Sequence, residues 1–385
     1  MRPGLRSLVG MPAYFDNAAT TAMRAEAVEA MLPFLRERFG NPSGSHALAR
    51  EARKALDEAR DVVAGCLGAE PGEVVFTGGG TEADNLAVAG SHRLRGGTVV
   101  CSAVEHHAVL HACADLGGRL APVTADGVVD LDRLAEVLDA DVTVVAVMLV
   151  NNEVGTVQPL ADIADVVRRL APSAVLHTDA VAAFSWIDVA AVARVADLVA
   201  VSAHKFGGPK GVGALVVRQP VKVAPILYGG GQERDRRSGT HNVAGIVAMA
   251  AAMQAAVAER ADVVARVGAL RDRLADGLLA AVPESRETGR RDTKVAGNCH
   301  ISFTGVESEA LLMLLDGAGV YASAGSACAS GAVEPSHVLA AMGVPRDRAL
   351  GSLRLTLGRD TTAADVDLAL AVIPPAVARL RNAAQ

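Results

Sequence analysis

Six short apolar runs rich in β-branched residues, spaced by longer helical stretches, constrain this 385-residue chain more than any other feature. They are Glu73–Thr77, Thr98–Ser102, Val142–Val150, Ala174–Thr178, Asp197–Ser202 and Val212–Val217. Runs that are apolar at nearly every position suit strands covered on both faces. Amphipathic stretches at His46–Leu67, Glu82–Leu94, Leu131–Leu138 and Leu160–Leu170 lie between them. Strand–helix alternation predicts an α/β fold: a mainly parallel sheet with helices on both faces.

After Gly239 the pattern changes. An Ala-rich helical region from about Asn242 to Ala281, interrupted at Gly268, leads to a polar loop at 284–297. A smaller αβ unit follows, with strands near His300–Phe303 and Leu353–Leu357 and a helical tail, Ala363–Arg381. We therefore expect a large domain over residues 15–262 and a small one made of 1–14 and 263–385.

Charge and composition exclude several classes. The formal charge of −6 lacks the basic footprint of a nucleic-acid binder. No stretch reads as a membrane span, since Val243–Ala258 is mostly Ala and is broken by Gly245 and Gln254. The charged N-terminus has no apolar core of signal-peptide length after it, and Met11 offers a second start. Five cysteines without a C-x-x-C pair or zinc spacing suggest reduced thiols, a cytoplasmic location and no metal site.

Three segments could hold an anion, a ring and an amine. Phe76-Thr77-Gly78-Gly79-Gly80-Thr81-Glu82 lies where a strand hands over to a helix, so backbone amides and the helix N-terminus could cradle a phosphate. A simple capped turn would use the same residues. Asp179 ends a buried strand, on the edge where open α/β sheets gather ligands, although a helix-capping Asp would read alike. Lys205 follows another apolar strand, between Ser202-Ala203-His204 and Phe206-Gly207-Gly208. Desolvation would lower its pKa and free an amine able to condense with an aldehyde. Pyridoxal 5'-phosphate needs one of each: a lysine, a carboxylate at its ring nitrogen and a phosphate cradle.

A fourth segment, Ala322-Ser323-Ala324-Gly325-Ser326-Ala327-Cys328-Ala329-Ser330-Gly331, sets a cysteine among small residues. Such a thiol should be accessible, unlike Cys66 in an apolar helix.

Taken in order, these segments resemble the NifS/IscS-like cysteine desulfurases of the class V aminotransferase family, which have PLP fold type I. The likeness runs from Tyr14-Phe15-Asp16-Asn17-Ala18-Ala19-Thr20-Thr21 to Leu353-Arg354-Leu355-Thr356-Leu357-Gly358-Arg359. It takes in Glu105-His106-His107, Asn151-Asn152-Glu153, Arg237-Ser238-Gly239-Thr240 and Glu334-Pro335-Ser336-His337. The resemblance implies that Lys205 holds the cofactor, Asp179 pairs with its pyridine nitrogen, and His106 stacks on the ring. Gly80, Thr81, Ser202 and His204 would bind the phosphate, joined by Thr240 from the second subunit of a homodimer. Arg354, helped by Asn152, would hold the carboxylate of L-cysteine. Cys328 would take the sulfur as a persulfide and pass it to an acceptor protein, in iron–sulfur cluster assembly or another sulfur-transfer pathway.

One departure is local. Where relatives commonly carry a Gln that donates to the cofactor's phenolic oxygen, this chain has Ala182. The alternative on the same fold is an enzyme that works without the cysteine: a selenocysteine lyase, a cysteine-sulfinate desulfinase or a C–S lyase. A non-catalytic protein that docks sulfur carriers is the alternative from another class.

Overall fold

A computed structural model describes residues 12–324 and 335–383. Among them are twelve strands: β1 (Ala13–Tyr14), β2 (Val74–Thr77), β3 (Thr98–Ser102), β4 (Arg119–Ala121), β5 (Val142–Ala146), β6 (Val175–Asp179), β7 (Leu198–Ser202), β8 (Gly213–Val217), β9 (Ser285–Glu287), β10 (Asn298–Phe303), β11 (Val320–Tyr321) and β12 (Ser352–Thr356). Seven form one sheet in the order β2-β8-β7-β6-β5-β3-β4. Only β8 runs against its neighbours, so the others end on one edge.

Both faces of that sheet are dry. Alternate side chains of one strand point opposite ways, so Val74 and Phe76 enter one apolar cluster while Val75 enters another beneath the helix Gly80–Arg95. The expected strand over 142–150 leaves regular pairing after Ala146, although Val147 and Leu149 still donate to the carbonyls of His177 and Asp179.

The second unit is an antiparallel sheet, β12-β10-β9, with the parallel pair β1-β11 beside it. The loop expected at 284–297 is thus partly a strand.

One helix, Val243–Ala281, serves both units without a break. Gly268 does not interrupt it. A Cβ there would meet only Ala296 Cβ at 3.7 Å, so the glycine sits inside a continuous helix. Ile246 to Ala256 belong to the large core, whereas Val267 to Leu278 belong to a second core with Ala13 and Phe15. Although this helix is long and apolar enough to cross a membrane, over half of its most apolar stretch is buried in the protein.

Candidate active site

The parallel strands deliver their C-terminal ends to one cleft of about 450 Å³. Gly80, Thr81, His106, Asn152, Asp179, Ser202, His204, Lys205 and Arg354 all line it, so residues far apart in sequence converge on one cleft. Thr240 does not line it: this residue is exposed on the segment before the long helix. Cys328 lies outside the described residues. Ser323 and His337, on the described flanks of its segment, both line the cleft.

The glycine turn before the helix Gly80–Arg95 requires glycine at one point: Gly79 has φ of 151°, in the region side chains avoid. A Cβ on Gly79 would lie 3.8 Å from Ser202 Oγ, which places that hydroxyl beside the first helical turn. Glu82 ties the turn down by accepting from Gly78 N at 2.7 Å and from Arg237 Nε at 2.6 Å. Free amides at a helix start, with the Ser202 hydroxyl alongside, are an anion site.

His204, on the next turn, shares a 3.1 Å hydrogen bond with Thr20 Oγ1. Burial, with Lys205 and Lys210 nearby, pushes its pKa down to about 4, so it is neutral.

Asp179 is 4% exposed and accepts from Val181 N at 2.8 Å through Oδ1. Its other oxygen has no protein donor among the described residues. Burial raises its pKa, a rise that the Val181 amide, His177 and Lys205 oppose. A buried carboxyl in this state is stabilised by any cation that reaches it.

Lys205 donates to the carbonyls of Ala18 and Ala19, the latter at 3.0 Å. Burial first, then Arg354, lowers its pKa to about 8, against the opposing pull of Asp179 and Asp16. An ammonium so placed gives up its proton near neutral pH.

Arg354 reaches the cleft from β12, in the other sheet. Its Nη2 holds Asp16 Oδ1 at 2.9 Å and its Nη1 donates to Asn152 O at 3.3 Å, while Nε is buried without a partner among the described residues. A fixed guanidinium with a spare donor is suited to a carboxylate. Asn152 contributes its main-chain oxygen to this contact.

His106 caps the helix His107–Asp115, and its Nδ1 accepts from Ala108 N at 3.1 Å. That bond puts the ring proton on Nε2. Burial and then Lys205 lower its pKa, which keeps the ring neutral.

Sequence reasoning assigned no role to Asp16, Glu105 or Glu153. Glu105 is buried beneath the site, where Oε1 takes Ser102 Oγ at 2.5 Å and Met148 N at 2.7 Å. Glu153 is held by Ser336, and burial raises its pKa to about 7. The sequence signal was the residues' place inside the quoted strings; their burial was not readable there.

The described cysteines are poor nucleophile candidates. Cys299 is pushed up to about 12 by burial, and Cys66, half-buried where burial was expected, is also raised. Cys101 is raised by its hydrogen bond to Cys113 and by burial, while Cys113 sits in the core.

The chain is similar to known proteins over nearly its whole length. Residues 13–369 match the family model described as aminotransferase class-V. The chain is 47% identical to an IscS-like cysteine desulfurase of Mycobacterium tuberculosis, over 97% of this chain and 98% of that one. It is 44% identical to the cysteine desulfurase IscS of Methanosarcina thermophila, over 96% of this chain and 93% of that protein. A solved NifS-like protein, 36% identical, superposes with a TM-score of 0.89 and covers 96% of this chain and 100% of its own.

Proposed function

Since the chain belongs to the class V aminotransferase family and, within it, to the cysteine desulfurases of fold type I, we propose that it removes sulfur from L-cysteine, forms L-alanine and passes the sulfur through Cys328 to an acceptor protein. The observation that carries this reading is the convergence of Lys205, Asp179, a helix N-terminus and Arg354 on one cleft.

The residues present fit pyridoxal 5'-phosphate, the family's cofactor. Lys205 would hold it covalently, Asp179 with its spare oxygen would face the ring nitrogen, and His106 would cover the ring. Gly80, Thr81, Ser202 and His204 would hold its phosphate, with Thr240 arriving from the second subunit of a homodimer. When bound, this group supplies an electron sink that acidifies the substrate Cα and loosens the bond from Cβ to sulfur.

The chain's own residues do the rest. Arg354 binds the substrate carboxylate, with Asp16 as the ion it gives up or shares. Lys205, poised near neutral pH, takes the Cα proton at Nζ and returns it. The neutral His106 presents its Nε2–H as a hydrogen-bond donor. The Cys328 thiolate attacks the substrate sulfur: an S–S bond forms, the Cβ–S bond breaks, and its electron pair stays on the carbon side, where a proton completes alanine. We assign the protein to the cytoplasm, where thiols stay reduced.

The test is incubation of the holoenzyme with sulfur-labelled L-cysteine. Alanine should form and label should appear on the Cys328 peptide. In Cys328→Ser, sulfur transfer should stop. Sulfide release from that variant at an undiminished rate would instead make the protein a lyase that needs no cysteine.

A further inference from the structure

The glycine turn at 78–80 is gripped from both sides by one stretch of chain, residues 233–237, none of which lines the cleft. On the strand before the turn, Phe76 N donates to Glu233 Oε2 at 3.0 Å. On the helix after it, Glu82 takes Arg237 through both oxygens, Nε at 2.6 Å and Nη2 at 3.1 Å.

The backbone between these two grips is strained. Glu233, Arg234 and Asp235 have φ of 50°, 57° and 62°, three left-handed residues in a row, each with a side chain. Such a run persists only where its surroundings over-determine it, and strain of this kind gathers at functional sites. Here Glu233 holds Arg60 and His241, while Arg234 and Arg236 donate to Gly72 O at 2.7 Å and 2.9 Å.

Charge gives the brace a purpose. Glu82 Oε2 also accepts from Gly78 N at 2.7 Å, so the turn is stiffened by a carboxylate in the first turn of its own helix. A bare carboxylate there would repel a phosphate bound at the neighbouring amides. The two-pronged contact from Arg237 cancels that charge and keeps the acid on Gly78.

We infer that Arg237 is a positioning residue for the cofactor's phosphate: set in place by the strained turn, it lets Glu82 brace the cradle without repelling the anion. This rests on the reading that the cradle takes the phosphate of pyridoxal 5'-phosphate.

The cofactor-stripped full-length protein is titrated with pyridoxal 5'-phosphate and with pyridoxal, which lacks the phosphate, by visible absorbance. The ratio of the two affinities reads the cradle, and wild type should favour the phosphorylated form. Arg237→Gln should cut that ratio by about tenfold or more, with pyridoxal binding within about threefold of wild type. Arg237→Met carries the same expectation; circular dichroism shows which variant is folded, and either suffices. Adding Glu82→Gln removes the uncompensated charge and should restore the ratio to within about threefold of wild type. No preference for the phosphorylated form in wild type would overturn the cradle reading and the inference with it. A preserved ratio in the Arg237 variants would overturn the inference alone. So would a double variant as weak as the single one, because Arg237 would then act by shaping the segment that carries Thr240 and not through Glu82.

Discussion

Two sets of buried acids show how partners, not depth, decide charge. Glu233, 6% exposed, takes Arg60 at 2.6 Å and 2.8 Å, His241 at 2.7 Å and Phe76 N at 3.0 Å. Burial alone would raise its pKa; the hydrogen bonds from His241 and Arg60 reverse this and bring it down to about 2. Asp84, Glu105 and Asp179, under the cleft, are equally buried but have no guanidinium, and burial raises all three. Among the described residues Asp84 meets His177, at 3.1 Å, itself neutral because burial lowers it to about 4. Glu233 is a finished ion pair that anchors a loop. The cleft acids have no such partner, and burial disfavours their charge unless a cation is brought beside them.

The comparison breaks most visibly at Asp179. Asp179→Asn keeps shape but removes the charge that a ring nitrogen would meet, and alanine formation should fall by about 10²–10³-fold. Steady-state assays with excess cofactor check this; activity within a few-fold of wild type would reject the pairing.

Glu233→Gln leaves Arg60 buried and half-paired, and urea unfolding at pH 7 should show a loss of roughly 3 kcal/mol. The wild-type contribution has a defined window. Because the folded pKa of about 2 lies below the ordinary 4.5, it is present above pH 4.5 and lost as pH falls toward 2. The variant should show a flatter stability profile over that range.

Lys205 subtracts stability where Glu233 adds it, because its lowered pKa penalises the charged form. Its folded pKa of about 8 lies below 10.5, so between these values the unfolded chain holds more protons and stability rises with pH. Lys205→Met should therefore stabilise the cofactor-free protein at pH 7 by about 2 kcal/mol, a gain that vanishes above pH 10.5. Urea midpoints across pH test it.

The smallest effect concerns Ala182. Restoring a donor with Ala182→Gln should move the titration midpoint of the bound chromophore by the equivalent of about 0.5–1.5 kcal/mol. An unchanged midpoint in a visible-absorbance titration would mean that another group already serves the oxygen.

Much of this was legible in the chain. Six of the seven strands of the large sheet were readable because residues such as Val74-Val75-Phe76 are apolar on both faces, a pattern with few alternatives, whereas β4, three residues long with Leu120 exposed, was not. The two-residue strands β1 and β11 carry no such pattern. The helix Ala25–Arg36, with Pro33 inside and six polar or alanine positions, carries a weak one. Lys205, Asp179 and Gly80 were found because each stands where a strand ends. Asp16 and Glu105 act through partners hundreds or tens of residues away, Arg354 and Met148, and only the folded chain brings these together.

The unbroken helix Val243–Ala281 has a last consequence. At 1.5 Å per residue it is a shaft of roughly 58 Å, keyed into both hydrophobic bodies. Neither body can melt without stripping packing from half of a rod whose other half supports its neighbour. Heat or denaturant should therefore bring the protein down in one concerted transition, with both lobes lost together.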